Sequence, residues 1–158
     1  MLQDFKGKTA VLTGAGSGFG LECARLGARL GMNLVLVDVQ AEALARAADE
    51  ARAQGVAVLA EVVDVSDAAA MEALADAVHE VGGLFVLDCV ASGCVWVDMQ
   101  ALGVDVLISA PQKGWSASPC AGLVMLNATA LEACRAAKST SFAIDLGKWV
   151  TIMEAYLS

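Results

Sequence analysis

The chain has 158 residues, 58% of them hydrophobic and 18% charged, which suits one domain with a large core and excludes an intrinsically disordered protein. Its net charge of −8 excludes the basic surface with which proteins usually bind nucleic acid. No apolar run approaches the roughly 20 residues of a membrane-spanning helix, so no membrane partner is expected.

The metal-binding residue types are few and scattered. The single histidine, His79, has no second histidine to form a ligand pair, and we expect it on the solvated surface. The five cysteines contain no Cys-x-x-Cys pair, which argues against a zinc site and against a disulfide framework. They are Cys23, Cys89, Cys94, Cys120 and Cys134. These residues predict no metal site. The scattered cysteines indicate a reducing compartment and the segment MLQDFKGK lacks the apolar stretch of a signal peptide, so we expect a cytoplasmic protein.

The first half of the chain alternates between strand-like and helix-like segments. The continuous apolar run NLVLV is typical of a strand that is covered on both faces. Ser66 or Asp67 is placed to cap the third helix. The predicted segments are strand 9–12, helix 19–30, strand 33–37, helix 41–54, strand 57–63 and a helix that ends at residue 81. This alternation predicts a parallel sheet with right-handed crossovers.

The second half continues the sheet. Strands are predicted at 84–90 and 104–110, and a short helix at 99–102 lies within a connection long enough for a parallel crossover. The next connection, 111–121, contains two prolines and cannot be a crossover helix. The sixth strand, 122–127, should therefore run antiparallel at the sheet edge.

Two helices are predicted near the C-terminus. The first covers 128–138, and Asp145 is placed to cap the second. The second helix carries an apolar stripe at helical spacing, which predicts that Trp149 packs in the core. The stripe consists of Leu146, Trp149, Val150, Met153 and Leu157.

The segment TGAGSGFG, residues 13–20, connects the first strand to the first helix. Glycines let a backbone approach a pyrophosphate closely, and the N-terminus of the following helix attracts the anion. Asp38 ends the second strand, 18 residues after Gly20. In dinucleotide sites, a carboxylate about 20 residues after the last glycine accepts hydrogen bonds from the ribose hydroxyls. Considered by themselves, the glycines could form a tight turn that binds no ligand. The spacing between this loop and Asp38 favours a dinucleotide site.

This spacing, TGxxxGxG, resembles the fingerprint of the short-chain dehydrogenase/reductase family, and the resemblance extends over residues 1–83. It implies a site for NAD in which the carboxylate after strand two favours NAD over NADP. It also implies that Asp64 and Val65, the pair after strand three, border the adenine. The implied cofactor-binding residues are Thr13, Gly14, Gly18, Gly20, Asp38, Asp64 and Val65.

The catalytic residues of that family do not follow. Its members have an Asn-Asn-Ala-Gly segment after strand four, where this chain reads LDCVASG. They also have a Tyr-x-x-x-Lys pair, whereas the single tyrosine here, Tyr156, has no lysine at that spacing. The hydride-transfer chemistry of the family is therefore not expected.

Residues 84–158 resemble another family, the class V aminotransferases that use pyridoxal phosphate, of the alanine- or serine-glyoxylate type. The matching segments are LFVLDCVASG, VDMQALGVDVLISAPQKGWSASPCAGLVML and STSFAIDLGKW. The resemblance implies that Asp88 pairs with the pyridinium nitrogen and that Lys113, after Gln112, forms the Schiff base. By residue type alone, Asp88 could cap a strand end and Lys113 could be a solvated loop lysine.

Two incomplete resemblances that meet near residues 82–84 predict an engineered chimera, folded as one α/β domain over 1–158. Three functions stay open. The chain could be a scaffold without a complete catalytic site, a weak binder of NAD or adenine nucleotides, or a residual pyridoxal-phosphate protein with weak aminotransferase-like chemistry through Lys113 and Asp88. NAD is the expected cofactor and pyridoxal phosphate the alternative, and we expect folding to require neither.

The predicted architecture is a three-layer α/β/α, Rossmann-like sheet with strand order 3-2-1-4-5-6. This order places strands one and four side by side at the switch point, where ligands of open α/β sheets bind. The glycine loop, Asp88 and Lys113 should then lie at one sheet edge. Strand three would form an uncovered edge, and pairing across a two-fold axis would make a homodimer.

Overall fold

A computed structural model describes residues 5–91, 95–137 and 139–156 of the chain. The strands are β1 (Thr9–Thr13), β2 (Asn33–Asp38), β3 (Val58–Val62), β4 (Val86–Asp88), β5 (Val106–Ser109) and β6 (Leu123–Leu126). The helices are α1 (Gly18–Arg29), α2 (Ala41–Arg52), α3 (Ala68–Glu80), α4 (Ala128–Ala136) and α5 (Leu146–Ala155). Lys138 and Leu157, which were predicted in helices, lie outside the described residues. None of the helices in the described ranges has the length and apolar character that crossing a bilayer requires.

The chain divides into two compact units. The first unit ends at Met71 and the second begins at Glu72, so the boundary lies within α3. The first unit contains the sheet β1-β2-β3 and the second contains the sheet β4-β5-β6. The α/β, Rossmann-like fold class is confirmed, whereas the single domain with a junction near 82–84 stays a prediction.

The first unit has a parallel sheet with β2 in the centre. Residues of β1 and β3 pair with β2 in a regular register, for example Val11 with Val35 and Leu36 with Ala60. The central strand is almost entirely buried, as its unbroken apolar sequence predicts. α1 and α2 pack on this sheet and on each other, mainly through small side chains that allow a close approach. The buried core consists of Ala15, Ala24, Ala28, Leu34, Leu36, Leu44, Ala47, Ala48 and Ala51.

The second unit has a mixed sheet in the order β4-β5-β6. β4 and β5 are parallel, and β6 is antiparallel to β5, as the proline-containing connection predicted. The order within each sheet agrees with the predicted order, but the described strands form two sheets of three and not one sheet of six. β4 is also shorter than predicted. The amide of Phe85, immediately before β4, donates to the carboxylate of Asp105 at 2.7 Å and is thereby used outside the strand ladder.

Side-chain caps fix three helix starts. The Oδ1 atom of Asp67 accepts from the amide of Ala69 at 3.0 Å, and that of Asp145 accepts from the amide of Lys148 at 3.0 Å. Both caps were predicted. Asn127, predicted as the end of β6, instead caps α4.

Two predicted features of the second unit are wrong. Residues 99–102 form a turn and not a helix, because the Asp98 carboxylate accepts from the amide of Ala101 at 3.0 Å and stabilises a local turn. Trp149 was predicted in the core, but it is 40% exposed. Its indole N–H needs an acceptor and donates to the carbonyl oxygen of Ala143 at 3.1 Å, at the surface beside Phe142.

Candidate functional site

The loop between β1 and α1 depends on its glycines. Gly14 and Gly18 have φ angles of +63° and +52°, in the left-handed region that side chains with a Cβ rarely adopt. A Cβ at Gly20 would overlap the carbonyl oxygen of Gly14 and lie 2.8 Å from that of Thr13. The loop is fixed to the sheet, since the amide of Ala15 donates to the Val37 carbonyl at 3.0 Å. The glycines therefore build a tight turn directly above the end of β1.

The N-terminus of α1 begins immediately after this turn. Its N-cap residue, Ser17, has an extended backbone, and its side chain makes no capping hydrogen bond to any described residue. The first turn of α1 contains no acidic side chain. The first N–H groups of a helix lack acceptors within the helix, and the aligned peptide dipoles give that end a partial positive charge. This end of α1 is therefore suited to an anion such as a phosphate.

Asp38 is a buried carboxylate beside the same loop. It is the last residue of β2 and is 8% exposed. Its Oδ2 atom accepts from the amide of Gly16 at 2.8 Å, and its Oδ1 atom accepts from the amide of Gln40 at 2.8 Å. A Cβ on Gly16 would lie 2.9 Å from Oδ2, so only glycine lets the loop come this close. The carboxylate thus joins the end of β2 to the glycine loop.

Asp64 and Val65 follow β3, and both are exposed. The Oδ1 atom of Asp64 accepts from the amide of Ser66 at 2.9 Å. This backbone hydrogen bond, followed by the bond to the Ser66 hydroxyl, holds the pKa of Asp64 below its ordinary value. Because β1, β2 and β3 are parallel and in register, their carboxyl ends share one edge of the first sheet. The structure therefore brings the residues predicted for the cofactor to one sheet edge: Thr13, Gly14, Gly18, Gly20, Asp38, Asp64 and Val65.

Phe19 belongs to this edge but was given no role from the sequence. It lies between Gly18 and Gly20 and is 94% exposed. The sequence signal is the single large side chain in a loop of otherwise small residues. An exposed aromatic ring here offers an apolar surface beside the N-terminus of α1.

The residues predicted for pyridoxal phosphate lie in the second unit. Asp88 ends β4, is exposed, and accepts from the amide of Val90 at 2.9 Å. Gln112 and Lys113 are exposed in the turn after β5. Because β4 and β5 are parallel neighbours, Asp88 and Lys113 follow the same edge of this sheet. Among the described residues no hydrogen bond or ion pair joins their side chains.

A third polar group in the second unit was not predicted. Asp105 is 5% exposed, and its Oδ2 atom accepts from the Phe85 amide at 2.7 Å and lies 2.8 Å from Nε2 of His79. Its Oδ1 atom accepts from the Asn127 side-chain amide at 2.6 Å. Burial raises the pKa of Asp105, but the hydrogen bonds from Phe85, His79 and Asn127 outweigh burial and leave the pKa below its ordinary value.

His79 is therefore more than a solvated surface residue. Its side chain is 35% exposed, in agreement with the predicted surface position, but its ring is held by a buried carboxylate 26 residues away in sequence. No local pattern around either residue signals this contact. We refer to His79, Asp105 and Asn127 as the His79 cluster.

A family model described as short chain dehydrogenase matches residues 8–108, which is more than half of the chain. The match covers both the glycine loop and Asp38. It also runs past residues 82–84 and includes β4 and most of β5. The resemblance of 84–158 to the aminotransferases stays a prediction.

Individual relatives match over the same part of the chain. Galactitol 2-dehydrogenase (L-tagatose-forming) of Cereibacter sphaeroides is 48% identical over 82 residues, which are 51% of this chain and 31% of that protein. C alpha-dehydrogenase of a Sphingobium species is 34% identical over 82 residues, 52% of this chain and 27% of that protein. A crystal structure of a short-chain dehydrogenase/reductase from Burkholderia phymatum in complex with NAD has 50% sequence identity and a TM-score of 0.47, and the match covers 56% of this chain and 31% of that one. The chain thus spans about a third of the length of these relatives or less.

Proposed function

Because the chain belongs to the short-chain dehydrogenase family, we propose that its first unit binds NAD through the adenosine diphosphate part of the molecule. The observation that carries the proposal is the position of Asp38. Its buried carboxylate lies within hydrogen-bond distance of the glycine loop, at 2.8 Å from the Gly16 amide. A phosphate-binding helix end and a hydroxyl-binding carboxylate are thereby held side by side.

Each part of the nucleotide has a partner in this proposal. The pyrophosphate binds at the N-terminus of α1, where Gly14 and Gly18 let the backbone come close. The ribose hydroxyls donate to Asp38. The adenine lies against Asp64 and Val65, with Thr13 at the end of β1 below the loop. A phosphate on the ribose would meet the Asp38 carboxylate, and like charges at this distance repel, so NAD is favoured over NADP.

Calorimetric titration tests this assignment. We expect NAD to bind in the micromolar-to-millimolar range, about −8 to −4 kcal/mol. Adenosine diphosphate should bind nearly as well, because the proposed contacts all involve the adenosine half. The variant Asp38→Asn should weaken NAD binding at least about tenfold, since charge-assisted hydrogen bonds contribute about 1.5–3 kcal/mol. Asp49→Asn removes an exposed carboxylate from α2 in the same unit and should leave binding unchanged.

Two results would contradict the proposal. If neither nucleotide binds, the first unit lacks the site. If NAD binds far more tightly than adenosine diphosphate, the nicotinamide half has a pocket of its own, and the assignment to the adenosine half alone is wrong.

A second candidate concerns residues 84–158, for which we infer descent from a class V aminotransferase and an engineered junction near 82–84. The supporting observation is that Asp88 and Lys113 follow the carboxyl ends of neighbouring parallel strands. In this reading Lys113 would hold pyridoxal phosphate as a Schiff base, and Asp88 would keep the ring nitrogen protonated. Bound in this way, the cofactor would supply an electron sink for amino-group chemistry.

Borohydride trapping followed by peptide mass spectrometry tests this candidate. We expect a pyridoxyl group on Lys113 after incubation with pyridoxal phosphate and reduction, and no such group in Lys113→Ala. The same variant should keep adenine-nucleotide affinity within about 1 kcal/mol, because an exposed ion contact contributes little. Equal labelling of Lys148, an exposed lysine of α5, would show nonspecific attachment and would remove this candidate while leaving the NAD proposal untouched.

A further inference from the structure

We propose that the His79 cluster forms one wall of a binding site for a small, neutral, largely apolar molecule that carries a single O–H or N–H donor. The cluster borders a cavity of about 480 Å³ that lies wholly within the second unit. Cavities of roughly 300–1,000 Å³ are the size that small-molecule sites have. The proposal concerns a different unit from the NAD site and does not depend on it.

The buried carboxylate of Asp105 orients the histidine. Three donors already occupy it, namely the Phe85 amide, the Asn127 side chain and Nε2 of His79. Because Asp105 is also 5% exposed, it offers little accessible surface to a ligand. A carboxylate at 2.8 Å from Nε2 assigns the ring proton to that nitrogen, because an ionised carboxylate can only accept. In the neutral ring, Nδ1 is then an acceptor in a fixed direction.

Nδ1 of His79 is the unused atom of the cluster. Within the described ranges it has no hydrogen-bond partner. This edge of the ring lies beside Gly103, where a Cβ would come within 3.3 Å of Cε1 and 3.9 Å of Nδ1. Gly103 lines the cavity together with His79 and places no side chain against this edge of the ring. Nδ1 is therefore the acceptor that a ligand donor in the cavity would use.

The remaining walls decide the chemical class. Met99, Val104 and Leu126 supply apolar surface, and Gln100 adds one exposed amide. The residues that line the cavity include no lysine and no arginine, so an anion finds no fixed positive charge there. Their single carboxylate, Asp105, is 5% exposed and already accepts three hydrogen bonds, so a cation would have to displace one of these donors. An aromatic ring with one hydroxyl group fits these walls, so phenol is the probe and anisole, its methyl ether without a donor, is the control.

Nuclear magnetic resonance tests the site directly, because His79 is the single histidine of the chain. A long-range proton–nitrogen spectrum shows the two nitrogens of this one imidazole. We expect the proton on Nε2 and an unprotonated Nδ1. Phenol should shift the Nδ1 resonance, whereas anisole should not. Ligand-observed titrations should give an affinity for phenol about five- to tenfold higher than for anisole, the effect of one hydrogen bond.

The variant His79→Lys separates the roles of the two ring nitrogens. Its ammonium group can still donate to Asp105 but carries no acceptor, so phenol affinity should fall about five- to tenfold to that of anisole. Glu80→Gln, a change at the neighbouring exposed residue of α3, should leave phenol affinity unchanged. Equal affinities of the unmodified chain for phenol and anisole would overturn the proposal, and this comparison requires no variant. Undiminished phenol binding by His79→Lys, or no binding of either probe, would also overturn it.

Discussion

Replacing Gly20 with alanine should destabilise the first unit by about 3 kcal/mol and abolish measurable NAD binding. The added Cβ would overlap the carbonyl oxygen of Gly14 and lie 2.6 Å from its carbonyl carbon. Both are backbone atoms, so no side-chain rotation relieves the overlap, and the turn between β1 and α1 must move. Unfolding in urea, followed by circular dichroism, measures the loss of stability, and calorimetry measures the loss of affinity.

Two other glycines provide controls for this effect. Gly122 has open space around the position of a Cβ and an ordinary backbone conformation, so Gly122→Ala should change stability by less than about 0.5 kcal/mol. Gly14 also has open space, but its φ of +63° makes Gly14→Ala cost about 1–2 kcal/mol. If Gly20→Ala is as mild as Gly122→Ala, the close approach of Gly20 to the backbone of Gly14 is wrong.

Replacing Asp105 with alanine should destabilise the second unit by about 3 kcal/mol, the second large effect that we expect. The change leaves the Phe85 amide and the Asn127 side chain without their acceptor at a largely buried position. It also releases His79 from the sheet. Asp98→Ala removes an exposed carboxylate that accepts from the Ala101 amide and should cost no more than about 1 kcal/mol. Similar losses in the two variants would contradict the central role of Asp105.

The same carboxylate predicts a dependence of stability on pH. The pKa of Asp105 is lower in the folded chain than its ordinary value of 3.8. Its contribution to stability is therefore fully present above pH 3.8 and is lost as the pH falls through the lower, folded-state pKa. Measurements of unfolding free energy at decreasing pH should show this loss in the unmodified chain. In Asp105→Asn, which has no proton to gain, the contribution should be missing at every pH.

The sequence predicts the first unit well because its signals are local. β2 was predicted from an unbroken apolar run, and the structure buries that run on both faces of a central strand. Ser66 or Asp67 was predicted to cap α3 from residue type alone, and Asp67 makes the cap. The residues predicted to bind the cofactor meet at one sheet edge because parallel strands bring their carboxyl ends together, and Asp38 is fixed there by the end of β2.

The second unit was predicted less well because its determinants are distant in sequence. β4 begins late since Asp105 captures the amide of Phe85, a contact across 20 residues. The link between His79 and Asp105 spans 26 residues, and neither residue type implies the other. Trp149 fits an apolar stripe, but a stripe does not tell whether a partner surface exists to cover it. Residues that match a helical pattern can thus remain exposed.

The division of the chain into two units separates its chromophores. The tryptophans Trp96, Trp115 and Trp149 and the single tyrosine, Tyr156, all follow Glu72, so the first unit contains no strong ultraviolet emitter. Trp96 is already 91% exposed and Trp115 is 54% exposed, whereas Trp149 is 40% exposed and gains more solvent contact on unfolding. Intrinsic emission therefore reports on the second unit. The helical signal of α1 and α2 belongs to the first unit, so an emission curve and a circular-dichroism curve with different midpoints are the optical signature of two units that unfold in succession.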